Sequence, residues 1–311
     1  GRWGKERVEA VEVRHAGRLI GGAVLVRIAP KGVPLDVRFM KFGPLWHVAG
    51  VPAAGGQPAD ARTYRNVLYA LIAEYGKRGG AALLILQRPN PVTNPVEREV
   101  MAELDFRPGR IMDDPNRYLV DATLSEAEQL ASLEQKWRYN LKQANAAGLE
   151  LREESAAGFA DFAALHAAMI ARKGDGASTD KVDLLPALGE ALSPAARPRL
   201  MMARKDGRPV AGAIFGASAD DALPLKAGYA VQWAILRALR DSGARWYDLG
   251  GEAGEEGLRQ FKKGLVGKRG SIVELPSEFQ WAATLRARLS LTALSSAREA
   301  AALLDRVRNR R

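Results

Sequence analysis

The stretch Trp246–Gly267, WYDLGGEAGEEGLRQFKKGLVG, reads as a strand, a glycine turn, an acidic loop over Glu252–Glu256, and a short helix carrying Phe261, Lys262 and Lys263. Aromatic residues running into paired glycines mark a strand that ends at a turn. The order sets a cationic pair close behind an exposed strand end. A transferase acting on a charged, phosphate-bearing donor can use such a pair.

Outward from this stretch the chain repeats itself. Upstream lies a helical pattern over Ala227–Ser242, with Val231, Ala234, Ile235, Ala238 and Leu239 on one face, closed by Gly243. Before it, ARKDGRPVAGAIFG (Ala203–Gly216) aligns without gaps on VRHAGRLIGGAVLV (Val13–Val26). Arg14 matches Arg204, Gly17 matches Gly207 and Gly22-Ala23 matches Gly212-Ala213, at a constant offset of 190 residues (204 − 14). Both segments read as β-hairpins with a glycine in the turn. The first copy continues with a helical pattern over Ala59–Arg78, closed by Gly79-Gly80, and a strand Ala81–Leu86. Hairpin, helix and strand, twice in the same order, predict two related α+β domains.

The copies differ in length. From turn glycine to helix-ending glycine the first spans 63 residues (17 to 80) and the second 36 (207 to 243). The first includes a strand Val37–Phe42; the second runs from Ser218 almost directly to its helix, so that strand is expected to be lost there. The second copy also has helices before its hairpin, Gly158–Arg172 and about Lys181–Leu192, which the first lacks, so an N-terminal portion is expected to be missing. The expected organisation is a first domain over 1–124, a basic connecting helix over 125–148, a second domain over 149–280 and a basic C-terminal helix over 281–311.

In the connecting segment Ser125 and Glu128 form a capping box, and the helical pattern stops at Gly148. Lys136, Arg138 and Lys142 form a basic cluster around Trp137 and Tyr139: an RNA or phosphate site, or a solvated face whose Trp137 packs into the core. The terminal 31 residues, from Trp281, hold seven arginines and two acids, with Leu285, Leu289, Leu294, Ala301 and Leu304 near helical spacing. Such a helix docks on its own domain or lies on anionic membrane or RNA.

At 311 residues, 47% hydrophobic and 26% charged, the chain is long enough for two cores and too apolar for disorder. No apolar run is long enough to span a bilayer and no signal-type apolar region opens the chain. The absence of cysteine rules out disulfide and thiolate chemistry, and three scattered histidines make a poor metal site. The net charge of +10 favours polyanionic partners: nucleic acid, anionic lipid or nucleotide-linked substrates.

Three stretches now point to a family. KWRYNLKQANAAG carries Arg138 and Ala144 to Gly148, WYDLGG carries Tyr247-Asp248 with Gly250, and GLRQFKKG carries Phe261-Lys262 with Gly264. In this order, on a duplicated chain, they resemble the FemABX family over nearly the whole length. The resemblance implies two tandem GNAT-like (acyl-CoA N-acyltransferase-like) domains, each a mixed sheet flanked by helices. It implies transfer of an amino acid from aminoacyl-tRNA to the stem-peptide amine of a lipid-linked or UDP-linked peptidoglycan precursor, in cell-wall synthesis. No resident cofactor is expected. The expected location is the cytoplasm, with peripheral contact at the inner, anionic face of the membrane.

By the same resemblance Lys262 is the catalytic candidate, handling the tRNA end and the developing charge, with Lys263 its neighbour. Arg172, Tyr247, Asp248 and Arg138 are substrate-binding candidates. Lys5 joins them through a Trp-x-x-Lys signature that is one residue short at Trp3. Two features depart from the family: the first-domain strand ends Gln87-Arg88-Pro89 without an acid, and the tyrosine of the lost strand has no counterpart. No Ser-His-Asp set is discernible, so direct attack with electrostatic stabilisation is expected. Two alternatives stay open. An acyl-CoA donor would use the helix start Leu225-Lys226-Ala227-Gly228-Tyr229-Ala230, which keeps the glycine of a pyrophosphate cradle but has Leu225 where Arg or Gln is expected. A non-catalytic RNA- or membrane-binding module would use the basic tail.

Overall fold

The computed structural model describes residues 7–28, 36–46, 61–91, 93–111, 116–154, 158–173, 182–193, 197–213, 217–219, 223–251, 256–275 and 277–308. In chain order the first elements are β1 (Val8–His15), β2 (Arg18–Ile28), β3 (Val37–Lys41), β4 (Leu45–Trp46), α1 (Ala61–Leu71), β5 (Ala82–Leu86), α2 (Asn94–Glu103), β6 (Arg107–Ile111) and β7 (Asn116–Asp121). There follow α3 (Glu126–Ser132), α4 (Gln135–Ala146), β8 (Glu150–Glu154), α5 (Gly158–Lys173), α6 (Leu185–Ala191), β9 (Leu200–Lys205), β10 (Arg208–Ala213) and β11 (Ala217–Ser218). The last are α7 (Ala227–Asp241), β12 (Trp246–Asp248), α8 (Glu256–Val266), β13 (Ser271–Glu274), β14 (Ser277–Trp281) and α9 (Leu285–Arg308).

The duplication is exact at the level of hydrogen-bond register. β1 pairs β2, and β9 pairs β10, both antiparallel. Gly22 lies opposite Glu12 and Ala23 opposite Val11; Gly212 lies opposite Met202 and Ala213 opposite Met201, which is the same offset of 190 (202 − 12). Both turns use two left-handed residues, Ala16 (φ 48°) and Gly17 (77°), then Asp206 (52°) and Gly207 (76°). That turn matches the right-handed twist of the strands it joins. The matched arginines do the same work: Arg14 Nη1 donates to Gly17 O at 3.2 Å and Arg204 Nη1 to Gly207 O at 3.3 Å.

The chain forms two compact units, interleaved in sequence. One comprises Gly1–Tyr118, Asp248–Gly254 and Ser271–Arg311; the other comprises Leu119–Tyr247 and Glu255–Gly270. These are not the consecutive segments expected from the sequence. The connecting helices belong to the second unit. The 281–311 segment belongs to the first, because β14 inserts between β5 and β6 and α9 covers one face of their sheet.

The first unit is built on a sheet of order β1-β2-β3-β5-β14-β6, with β4 added beside β2. β5 is buried on both faces, which its unbroken apolar run requires. Leu83 and Ile85 pack with Leu68, Leu71 and Met101 of the helical layer; Ala82, Leu84 and Leu86 pack with Ala287 and Leu291 of α9. The helix predicted as one piece to Arg78 is α1 followed by a π-helical segment, Ile72–Arg78. Trp281 packs against this segment. A Cβ on Gly76 would lie 2.1 Å from the indole, so only glycine lets the ring sit there.

The second unit has its own sheet, β11-β10-β9-β8. Its apolar layer joins Phe159, Phe162 and Leu165 of α5 to Leu200 and Met202, and Val231 of α7 to Val210 and Ala211. Between β10 and α7 the described residues hold only the two-residue strand β11. It pairs with Ala211 and Gly212, which match Gly21 and Gly22, so by register it corresponds to β4, and no counterpart of β3 stands among the described residues. Outside both sheets, β12, β7 and β13 form a three-stranded sheet in that order.

The segment 125–148 holds two helices, not one. The capping box at Ser125 and Glu128 starts α3, but Leu133 is extended (φ −57°, ψ 150°) and α4 begins afresh at Gln135. The break is set by tertiary contacts. Leu133 is fully buried, and Ser132 Oγ accepts the backbone N–H groups of Lys268 and Arg269, both at 3.1 Å. In α9 the buried stripe is Ala287, Ser290 and Leu291, with Leu294 partly buried beside it, whereas Leu285 and Leu289 of the predicted apolar face are exposed. Among the described residues no helix is long and apolar enough to cross a membrane.

Candidate functional site

In the second unit α4 packs against α7 and α8, and Trp137 of α4 is the pivot. Its ring centroid lies 4.9 Å from Tyr229, 5.9 Å from Phe261 and 6.4 Å from Trp233; Tyr229 and Phe261 meet edge to face at 4.8 Å. The glycine after the lysine pair is explained here. A Cβ on Gly264 would stand 2.8 Å from the Trp137 ring, so α8 can lie flat on the indole only with glycine there. Gly267 (φ 62°) ends α8 against Ser132, whose carbonyl oxygen would be 2.4 Å from an added Cβ. The Phe-Lys-Lys-Gly stretch is thus a helix held along one side. Phe261 and Gly264 face Trp137, Lys262 is half-buried and Lys263 is exposed.

α7 opens at Lys226, a left-handed residue (φ 55°) with no side-chain cap. Its first turn carries the positive end of the helix dipole. Tyr229, in that turn, hydrogen-bonds Asn140 of α4. Burial pushes its hydroxyl above the ordinary tyrosine value, and the Asn140 hydrogen bond pulls the other way. Tyr247 of β12 donates to Gln232 Oε1 of α7 at 2.6 Å, tying the strand end to the helix.

The two copies differ at the strands that flank this helix. In the first unit β3 and β5 are parallel partners from Val37↔Ala82 to Lys41↔Leu86, and Phe42 N–H extends the pairing to Leu86 O at 2.8 Å. The second unit shows no such parallel pair among its described residues. Among the described residues β11 pairs only with β10, and β12 only with β7. An open strand edge offers backbone N–H and C=O groups to an extended ligand chain.

The candidates named from sequence fall as follows. Arg138, Lys262 and Lys263 lie on the packed helices α4 and α8; Arg138 Nη1 donates to Leu133 O at the break between helices. Arg172 is exposed near the end of α5, which packs on β9, β10 and β11. Asp248, in the first unit, is occupied: its Oδ2 accepts from Arg117 Nη2 at 2.8 Å and its Oδ1 from Gly250 N–H at 2.8 Å. Lys5 lies outside the described residues, as do 252–255 of the acidic loop. Sequence reasoning missed one acid. The strand end Gln87 lacks a carboxylate of its own, but Gln87 Nε2 donates to Glu97 Oε2 at 2.9 Å and Trp46 Nε1 donates to Glu97 Oε1 at 3.0 Å. Glu97 sits in the first turn of α2 and is buried, so only folding brings it to the strand.

The acetyltransferase (GNAT) domain family matches residues 131–263. No curated protein matches the sequence. Among solved structures the chain is similar to that of FemX, with a TM-score of 0.70 and 16% identity over 89% of this chain and 88% of that one. It is also similar to the C-terminal domain of a putative lysylphosphatidylglycerol synthetase from Agrobacterium fabrum, with a TM-score of 0.57 and 14% identity over 94% and 88%. A conserved protein of unknown function from Bacteroides thetaiotaomicron gives a TM-score of 0.54 at 14% identity over 84% and 82%. The chain thus has the fold of FemX, two tandem GNAT-like domains with mixed sheets flanked by helices, and its residues 131–263 match the acetyltransferase (GNAT) domain family.

Proposed function

We propose that the protein transfers an aminoacyl group from aminoacyl-tRNA to an amine of a peptidoglycan-precursor stem peptide. What supports this reading is that Arg138, Lys262 and Lys263 lie on helices α4 and α8, which pack together in the unit that contains most of the acetyltransferase match, and that among the described residues β11 and β12 are not paired with each other. Unpaired strands offer backbone groups to an extended acyl chain, and the cations of α4 and α8 suit a nucleic-acid phosphate. The acceptor nitrogen attacks the ester carbonyl, the C–N bond forms, the C–O bond to the ribose breaks, and the amine proton ends on the ribose oxygen. Lys262 stabilises the developing oxyanion, Lys263 and Arg138 hold the tRNA end, and Arg172 takes precursor phosphate. Tyr247 and Asp248 shape the strand end that the donor follows. No resident cofactor takes part.

One observation favours an acyl-CoA donor instead: Gly228 and Ala230 at the uncapped start of α7 keep part of a pyrophosphate cradle. The deciding experiment offers the purified chain an amine acceptor with either aminoacyl-tRNA or acyl-CoA. Product with aminoacyl-tRNA is expected; product with acyl-CoA alone would overturn the first reading.

The reading also sets the protein at the inner face of an anionic membrane, where a lipid-linked precursor is reached. Leu285 is 73% exposed and Leu289 58% exposed on one side of α9, with Arg286 and Arg288 beside them. An in-plane helix buries such leucines while arginines meet lipid phosphate. Binding to phosphatidylglycerol vesicles is expected, and Leu285→Glu or Leu289→Glu each to weaken it about tenfold, the loss for one leucine side chain. Sedimentation that is equal for wild type and both variants would remove α9 from membrane contact.

A further inference from the structure

α4 has two unlike faces. Trp137, Asn140, Leu141 and Ala144 are buried. Away from them Gln135, Lys136, Tyr139, Lys142 and Gln143 are exposed. Tyr139, at 61%, is the most exposed aromatic side chain among the described residues. Residues three and four apart are neighbours on a helix surface. Gln135 and Lys136 therefore stand one turn before Tyr139, and Lys142 and Gln143 one turn after it. Gln143 Nε2 donates to the Tyr139 hydroxyl oxygen at 3.0 Å, which steadies the ring.

This face differs from an ordinary solvated one in its charge and in its support. From Gln135 to Ala146 the helix carries Lys136, Arg138 and Lys142 and no acid. Among the described residues Lys136 and Lys142 pair with no carboxylate, whereas Arg152, Arg199 and Arg204 of the same unit each hold one. The flanking acids do not offset them: Glu134 precedes the first turn, and Glu150 is taken by Arg152 at 2.9 Å. The backbone beneath is fixed. Trp137 is packed among Tyr229, Trp233 and Phe261, Asn140 bonds Tyr229, and Lys205 Nζ donates to Ala147 O at 2.8 Å. Helix formation does not account for Tyr139, because alanine or lysine serves an exposed helical position better.

We propose that the outer face of α4 is an RNA-binding surface, in which Tyr139 stacks on an unpaired base while Lys136 and Lys142 meet phosphates on either side of it. Every base has a face that an aromatic ring can stack on, so the contact tolerates any sequence. Lysines neutralise phosphates and release their counterions. An anionic membrane fits the face less well: its outward row Gln135, Tyr139, Lys142 and Ala146 holds no large aliphatic side chain to bury in lipid. Which RNA occupies the face rests on the aminoacyl-tRNA reading above, and the contact adds to the one made by Lys262 and Lys263 on α8.

The test is fluorescence anisotropy of the full chain with a labelled oligouridylate and with deacylated tRNA, over a range of salt concentrations. Saturable binding is expected, and Tyr139→Ala is expected to weaken it at least fivefold, as loss of one base stack does. Tyr139→Phe keeps the ring and is expected to keep the affinity. Lys136→Ala and Lys142→Ala are each expected to lower the slope of log affinity against log salt by about 0.7, the share of one phosphate on a single strand. These side chains are exposed, so unchanged urea midpoints separate a binding defect from a folding one. An affinity and salt slope unmoved by all three alanine variants would overturn the surface. So would loss of binding to phosphatidylglycerol vesicles, and not to RNA, in the same variants. RNA binding that depends on Tyr139, in a chain that transfers only from acyl-CoA, would uphold the surface and remove the donor assignment. Transfer from aminoacyl-tRNA with a KM untouched by Tyr139→Ala would do the reverse.

Discussion

Lys262→Ala is expected to lower the aminoacyl-transfer rate by about 100-fold or more, the usual cost of removing one group that stabilises a developing oxyanion. The side chain is half-buried on α8, and its neighbour Phe261 is held in the aromatic cluster around Trp137. A charge fixed in partly dry surroundings acts more strongly than one in water. Lys263 is exposed, so Lys263→Ala is expected to cost much less and mainly at the level of KM. Lys262→Arg keeps the charge but changes its reach, and partial activity is expected. The measurement is single-turnover transfer with each variant, alongside far-ultraviolet circular dichroism to show the fold is intact. A Lys262→Ala rate within twofold of wild type would remove this lysine from the chemistry.

Trp137→Ala is expected to destabilise the second unit by about 3–5 kcal/mol, the range for deleting a large buried aromatic. Trp137 is 2% exposed and touches Tyr229, Trp233 and Phe261, while Gly264 lies flat against it. One alanine would therefore open a void between α4, α7 and α8 together. Trp137→Phe is expected to cost far less, because the indole N–H is buried without a partner and no hydrogen bond is lost with it. Tyr139, 61% exposed, serves as the control, and Tyr139→Ala is expected to be near neutral. Urea unfolding checks the series. A cost below about 1 kcal/mol for Trp137→Ala would mean the cluster is not the core of this unit.

These two residues also mark how much of the site was readable. Trp137 sits in a basic stretch that allows either an RNA-stacking platform or a core position, and packing against three other aromatic rings decides for the core. Lys262 is recognisable from its motif, but Gly264 shows what the motif is for: it lets α8 rest on Trp137. Glu97, Lys41 and Arg117 carried no signal in one dimension. Glu97 looks like any acid in a helix first turn, and Arg117 is 76 residues from Lys41 in sequence (117 − 41). Tertiary packing brings Arg117 of β7 over Phe42 after β3, and Glu97 of α2 to Gln87 after β5.

The sequence by itself determined the duplication, down to the register of the hairpins. Turn glycines and alternating strand residues are local signals, and a shift of one residue would turn every buried side chain to water. It also determined the helix starts and stops at Ser125, Gly148 and Gly243, where capping and left-handed φ are set within a few residues. The tertiary structure alone decided which segments share a unit. β14 and α9 complete the first sheet from the far end of the chain, since β5 is apolar on both faces and needs cover on each. It decided, too, that β3 and β5, which flank α1, are zipped together, while among the described residues β11 and β12 are not paired with each other. Strand pairing is a long-range choice made by burial and backbone hydrogen bonding, and no local pattern of residues encodes it.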